Sequence, residues 1–280
     1  LRGPEDCSGE SKRKLTLFIR VIREIKACLA SIVPTEHKKG RAMFEDKIER
    51  EDLEKMPSEY KDLLGRVLTI QADCEIGGPH LYVKDMLPGA PSKVNQLIVA
   101  RTAAEEMDHY RKIARLAGDI GVDTSFLLSI PNQKRYLEAF RGLINTWEDF
   151  SVFGFLIDRV GRFQLEEFLD CSYLPLQRVL PEILKEEMGH VGYGTNQTAE
   201  MAGHSEKSRE LVQRSVDFWY IKALDMFGRS DSERSNRYCH WGLKRRSNTQ
   251  ARWEFKKEVD PLIQDMGLSV PDPVAGRQYL

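Results

Sequence analysis

Two five-residue stretches, EEMDH at 105–109 and EEMGH at 186–190, repeat one acidic-plus-histidine pattern 81 residues apart. On a helix, residues three apart share a face. Glu106 with His109, and Glu187 with His190, therefore each aim a carboxylate and an imidazole at one point. That donor pair suits iron, manganese or zinc. Glu105 and Glu186 stand four before each histidine and also face its side, so on geometry alone either acid of each pair qualifies as the ligand. Our reading gives metal binding to Glu106 and Glu187. Glu105 and Glu186 then accept the other N–H of the imidazoles, as ligating histidines usually require. One arrangement is crossed, with Glu105 on His190 and Glu186 on His109.

A dinuclear carboxylate site in a four-helix bundle needs one further acid from each of two more helices. Glu75 lies 31 residues before Glu106, and Asp158 lies 29 before Glu187. The rivals Glu148 and Glu166 break this symmetry. Glu75 continues a stripe of Leu64, Leu68 and Gln71, and Asp158 follows the apolar run FGFLI at 153–157. A carboxylate among such neighbours is costly unless a metal or a cation neutralises it. For Asp158 a basic neighbour, Arg159 or Arg162, is the competing partner. The metal set read from spacing is Glu75, Glu106, His109, Asp158, Glu187 and His190. Pro79 cannot donate to the carbonyl of Glu75, so the helix is expected to kink, bulge or stop just after that residue.

The elements that must position these side chains are helical. Long segments carry helical periodicity, and strand signals are nearly absent. The pattern predicts helices near 11–32, 57–85, 92–117, 133–170, 174–202, 206–227 and 249–266. They are separated by Pro34, LPGAPS, GDIGVD, IPN and the polar RSDSERSN. Hydrophobic residues make up 41% of 280 and charged residues 30%, enough for one large core. Lys+Arg 42 against Asp+Glu 43 leaves no field to draw the chain to nucleic acid or a membrane. Five scattered cysteines, with no C-x-x-C, read as free thiols in a reducing cytoplasm rather than a disulfide or zinc framework. Residues 11–33 read as an amphipathic helix packed on the core or a partner, since charges interrupt any signal-peptide core. The expected organisation is a disordered leader at 1–10, a helix and connection at 11–55, the main domain at 56–273 and a tail at 274–280.

The ordered set Glu75, Glu106-x-x-His109, Asp158, Glu187-x-x-His190 resembles bacterial multicomponent di-iron oxygenases. Aspartate at 158 and the 29-residue interval narrow the resemblance to the phenylacetyl-CoA and benzoyl-CoA epoxidase families. GFLID (154–158), KEEMGH (185–190), FWYIKALDMFG (218–228) and GLSVPDP (267–273) are closest to the phenylacetyl-CoA type. The similarity spans about residues 57 to 273. It implies an all-α, ferritin-like four-helix bundle with a dimetal carboxylate centre and additional N- and C-terminal helices. It also implies two iron ions, which manganese could replace, and O2 as co-substrate for inserting one oxygen atom into an aromatic acyl-CoA. Electrons would come from a separate reductase, beside a ferritin-like partner subunit or a second copy. Two departures stand near the metal: Thr102 replaces a family lysine, and the first acid-to-motif interval is one residue longer.

A CoA thioester carries phosphates, and the best basic cluster for them is Lys244, Arg245 and Arg246 in WGLKRR. A solvated basic face or a subunit contact is the plainer account of that cluster. Phe153, Phe155 and Met107 are candidates for a pocket wall, although aromatics on such faces are more often core. Two other readings share this sequence: an iron- or manganese-handling ferroxidase, and a non-catalytic scaffold subunit, which would be expected to lack several ligands.

Overall fold

The computed structural model describes residues 44–279. The expected helix at 11–32, Cys7 and Cys28 lie outside the described residues. Among the described residues the structure is all-α, with one isolated bridge between Ile48 and Tyr173 as its only strand-like pairing. The helices are α1 (Ser58–Gly89), α2 (Lys93–Asp119), α3 (Trp147–Glu166), α4 (Leu174–His204), α5 (Glu206–Met226), α6 (Glu233–His240) and α7 (Asn248–Asp265). The first four form a ferritin-like four-helix bundle and the others pack around it. No described helix is long and apolar enough to cross a membrane.

Local chemistry sets most of the helix starts. Ser92, Thr146, Ser205, Ser232 and Ser247 each accept the backbone N–H three residues on, satisfying a donor the first turn leaves open. Helix α4 opens with Pro175 in its first turn, where a missing N–H costs nothing. Helix α1 runs unbroken through Gly77, Gly78 and Pro79 to Gly89, with neither a stop nor a π-helical turn. The helix therefore does not stop after Glu75, and proline leaves the Glu75 carbonyl without its helical donor.

The predicted helix over 133–170 is shorter than its pattern. Residues 132–141 form two short 3-10 turns, and α3 starts only at Trp147, capped by Thr146. The reason is tertiary. Arg135 is fully buried and donates to Asp73 at 2.8 Å and to the Leu127 carbonyl at 2.9 Å, while the Tyr136 N–H goes to the other Asp73 oxygen. Backbone that a helix would have used is spent holding this connection against α1. Conversely α6 forms where a polar breaker was expected, its start fixed by Ser232.

Two apolar clusters fill the bundle, one at each end of the carboxylate layer. One gathers Tyr82, Val99, Phe150, Phe153 and Trp219, and the other Leu64, Leu68, Ile113, Leu165 and Leu180. In the α3–α4 pair the backbones nearly touch. A Cβ added to Gly194 would lie 2.4 Å from the Gly154 carbonyl carbon, so no side chain fits there. That contact is close to Asp158 and Glu187 in sequence and brings their helices together.

Candidate metal centre

Glu75 comes from α1, Glu106 and His109 from α2, Asp158 from α3, and Glu187 and His190 from α4. Oxygen or nitrogen atoms of Glu75, Glu106, His109 and Glu187, all buried, lie within 4.8 Å of one another. His190 adjoins this group, its Nδ1 3.2 Å from Glu106 Oε1 and 3.8 Å from Glu187 Oε1. His109 Nδ1 sits 3.3 Å from both Glu75 Oε2 and Glu187 Oε1. Asp158 is half-buried and outside this group of four; burial and then the Glu187 charge push its pKa up to about 8. Arg159 and Arg162, its possible sequence partners, both bind Glu258 of α7.

The outer faces of the imidazoles are tied across the bundle. His109 Nε2 donates to Glu186 Oε2 at 2.8 Å, and His190 Nε2 donates to Glu105 Oε2 at 2.9 Å. Each acid thus reaches the histidine of the other motif. Glu105 is itself held by the exposed Arg101 at 2.7 Å, a partner four residues earlier on the same helix. Burial works against charge on Glu105, but Arg101 and His190 outweigh it and keep its pKa low. Gln71 adds a donor that the sequence shows only as part of a stripe, giving its N–H to Glu75 Oε1 at 2.5 Å. Its spacing of four from Glu75 is the available signal.

The electrostatics call for a cation. Burial first, then Glu187, Glu75 and Asp158, hold the Glu106 pKa well above its ordinary value. Burial opposes a charge on His109, yet Glu187 and Glu75 overcome it and push that pKa up to about 12. Both inner Nδ1 atoms are buried without a hydrogen-bond partner and face carboxylate oxygens. Two donors each about 2.1 Å from one ion, at right angles to each other, lie about 3 Å apart. The Nδ1-to-carboxylate distances of 3.2 and 3.3 Å match that separation. Oxygen and imidazole nitrogen donors of this kind fit iron or manganese.

The chain as a whole matches a known family. The family model described as phenylacetic acid catabolic protein matches residues 41–278. The chain belongs to that family. Within it, the chain is 27% identical over 222 residues to one component of the 1,2-phenylacetyl-CoA epoxidase of Escherichia coli K12, covering 78% of this chain and 72% of the relative. It is 26% identical over 255 residues to benzoyl-CoA oxygenase component B of Aromatoleum evansii, covering 81% of this chain and 52% of that longer protein.

The remaining sequence-derived candidates fall elsewhere. Arg246 is not available to an incoming phosphate. It is 6% exposed, ion-paired to Glu167 and Glu254, and donates to the Phe163 carbonyl at 3.1 Å. Its role in WGLKRR is to join α7 to the end of α3; Lys244 and Arg245 are only half-buried. Met107 is 53% exposed and points out of the bundle rather than into a pocket wall. Phe155 is buried beneath the Arg159 guanidinium, and Phe153 packs against Tyr82 and Trp219.

Proposed function

We propose that this chain is the metal-bearing subunit of an oxygenase that inserts one oxygen atom into an aromatic acyl-CoA, such as phenylacetyl-CoA. The observation that carries this reading is the pair of buried Nδ1 atoms, without hydrogen-bond partners, that face the carboxylates of Glu75, Glu106 and Glu187. A scaffold subunit has no need of such an arrangement. Glu75, Glu106, His109, Asp158, Glu187 and His190 would hold two iron ions, or manganese, and Glu105 and Glu186 would orient the imidazoles. The names of the two relatives support the acyl-CoA class.

When bound, the metal supplies the activation of O2. The protein's own contribution is geometric and electrostatic. Glu186 and Glu105 keep the Nε2–H of each imidazole occupied and so present Nδ1 inward. Glu187 is shared by both histidines, its Oε1 within 3.8 Å of each Nδ1. Gln71 fixes the Glu75 carboxylate, and the apolar cluster around Tyr82 and Phe153 keeps bulk water from one side of the layer. Electrons would arrive from a separate reductase, and a ferritin-like partner or a second copy would complete the assembly in a cytoplasmic complex.

The test is metal analysis of anaerobically iron-loaded protein, followed by reductase-dependent O2 uptake with a panel of acyl-CoA thioesters and free acids. About two irons per chain and uptake stimulated by an aromatic acyl-CoA are expected. Iron oxidation indifferent to every acyl compound would replace this reading with a ferroxidase, and absence of bound metal would leave a scaffold.

A further inference from the structure

Tyr82 lies seven residues beyond Glu75 on α1, two turns along the same face. It is 2% exposed, and its hydroxyl has no hydrogen-bond partner. A buried hydroxyl left unpaired costs free energy, so such a group calls for an acceptor. The position related by the sequence repeat, seven beyond Asp158, is Leu165, a buried residue with no polar atom. The hydroxyl therefore has no counterpart at the matching position of the other half.

Its surroundings define what it could meet. Phe150 and Phe153 of α3 meet the Tyr82 ring edge-on at 5.2 and 6.5 Å, and Val99 and Ala103 of α2 belong to the same cluster. Burial, then the carboxylates of Glu106, Asp158 and Glu187, hold its pKa well above the ordinary phenol value, which keeps it a donor and places it within reach of the site's field. The group is a hydrogen-bond donor within an aromatic cluster two turns beyond Glu75.

We propose that the Tyr82 hydroxyl positions the substrate, donating to the carbonyl oxygen of an aromatic acyl thioester whose ring rests against Phe150 and Phe153. This deepens the acyl-CoA reading above and rests on it. An acceptor at that place lets one hydrogen bond set how far the ring stands from Glu106 and the metal. It would also favour thioesters over analogues that lack the carbonyl.

The test uses the full chain without metal, so that binding is read apart from turnover. Phenylacetyl-CoA and its carbonyl-free thioether, 2-phenylethyl-CoA, are titrated calorimetrically into wild type and Tyr82→Phe, and the melting temperature of each protein is recorded. Wild type should prefer the thioester. Tyr82→Phe should weaken thioester binding by about tenfold, leave thioether binding unchanged, and melt no lower than wild type. Equal thioester affinity in the two proteins overturns the role of Tyr82 while leaving the acyl-CoA reading intact. A lower melting temperature with both ligands weakened equally also overturns it, since the hydroxyl would then serve the fold. Failure of wild type to bind either compound overturns the acyl-CoA reading, and this inference with it.

Discussion

The α1–α2 and α3–α4 halves carry the same donors but are packed differently one turn away. Counted from its own acid and its own motif, each half has a matching pair of positions: Gln71 and Ile113 in the first, Gly154 and Gly194 in the second. The glycines let α3 and α4 touch backbone to backbone, whereas the matching positions of α1 and α2 carry side chains. Gln71 donates to Glu75 one turn along its own helix. The outer tier differs too. Glu105 is anchored by Arg101, while Glu186, among the described residues, is hydrogen-bonded only to His109. A repeated site thus constrains the donors and their directions, and leaves the packing that supplies those directions free to diverge.

Substitutions in each half put this contrast at risk. The largest effect is expected at the residue the halves share. Glu187→Ala should reduce bound iron to below about a tenth of wild type, because one carboxylate approaches both imidazoles. Glu75→Ala, which removes a carboxylate that approaches only the His109 imidazole, should remove about half. Equal metal content in the two variants, measured by mass spectrometry, would show that Glu187 is not shared.

Gly194→Ala should cost about 3 kcal/mol or prevent folding, since its Cβ meets the α3 backbone at 2.4 Å. Denaturant unfolding measures this. A loss below about 1 kcal/mol would mean that α3 and α4 can move apart at Gly154 and Gly194 at little cost.

Each acid-bearing helix is also braced by arginine, α1 through Asp73 and Arg135, and α3 through Arg159, Arg162 and Glu258. Burial raises the Glu258 pKa, but the two arginines outweigh it and the net shift is downward. A lowered folded-state value stabilises the fold above the unfolded pKa of about 4.3. That contribution is lost as the pH falls through the folded value. Glu258→Gln should therefore cost about 2 kcal/mol at neutral pH. Wild type and variant should converge below about pH 4. Parallel stability curves down to pH 3 would remove this brace from the account.

The smallest effect separates the outer acids. Glu186→Gln and Glu105→Gln should each weaken metal affinity by about tenfold or more. Arg101→Ala should weaken it only a few-fold, since an exposed pair contributes little. An Arg101→Ala loss as large as that of Glu105→Gln would make the cation integral to the site.

Much of this is legible in the sequence because helical spacing is local arithmetic. Residues three and four apart share a face, so the repeated motifs, their upstream acids and the helices carrying them can be read directly. The pattern over 133–170 overstates its helix because a buried Arg135–Asp73 pair, 62 residues apart in sequence, captures the connection. WGLKRR looks like one basic surface, yet Arg246 finds Glu167, 79 residues away, and turns inward. Tyr82 gives no signal because nothing in its neighbours announces an unpaired hydroxyl.

Residue types and their spacing are enough to specify an all-helical chain with two acid-and-histidine faces. Tertiary packing was needed to settle that each histidine is held by the other motif's acid, at 2.8 and 2.9 Å. Packing also left Asp158 half-buried and outside the group of four, and left the Tyr82 hydroxyl without a hydrogen-bond partner. The division is one of range. Helical periodicity fixes direction within a few residues, while distances between helices depend on what packs between them, such as the two glycines where α3 meets α4.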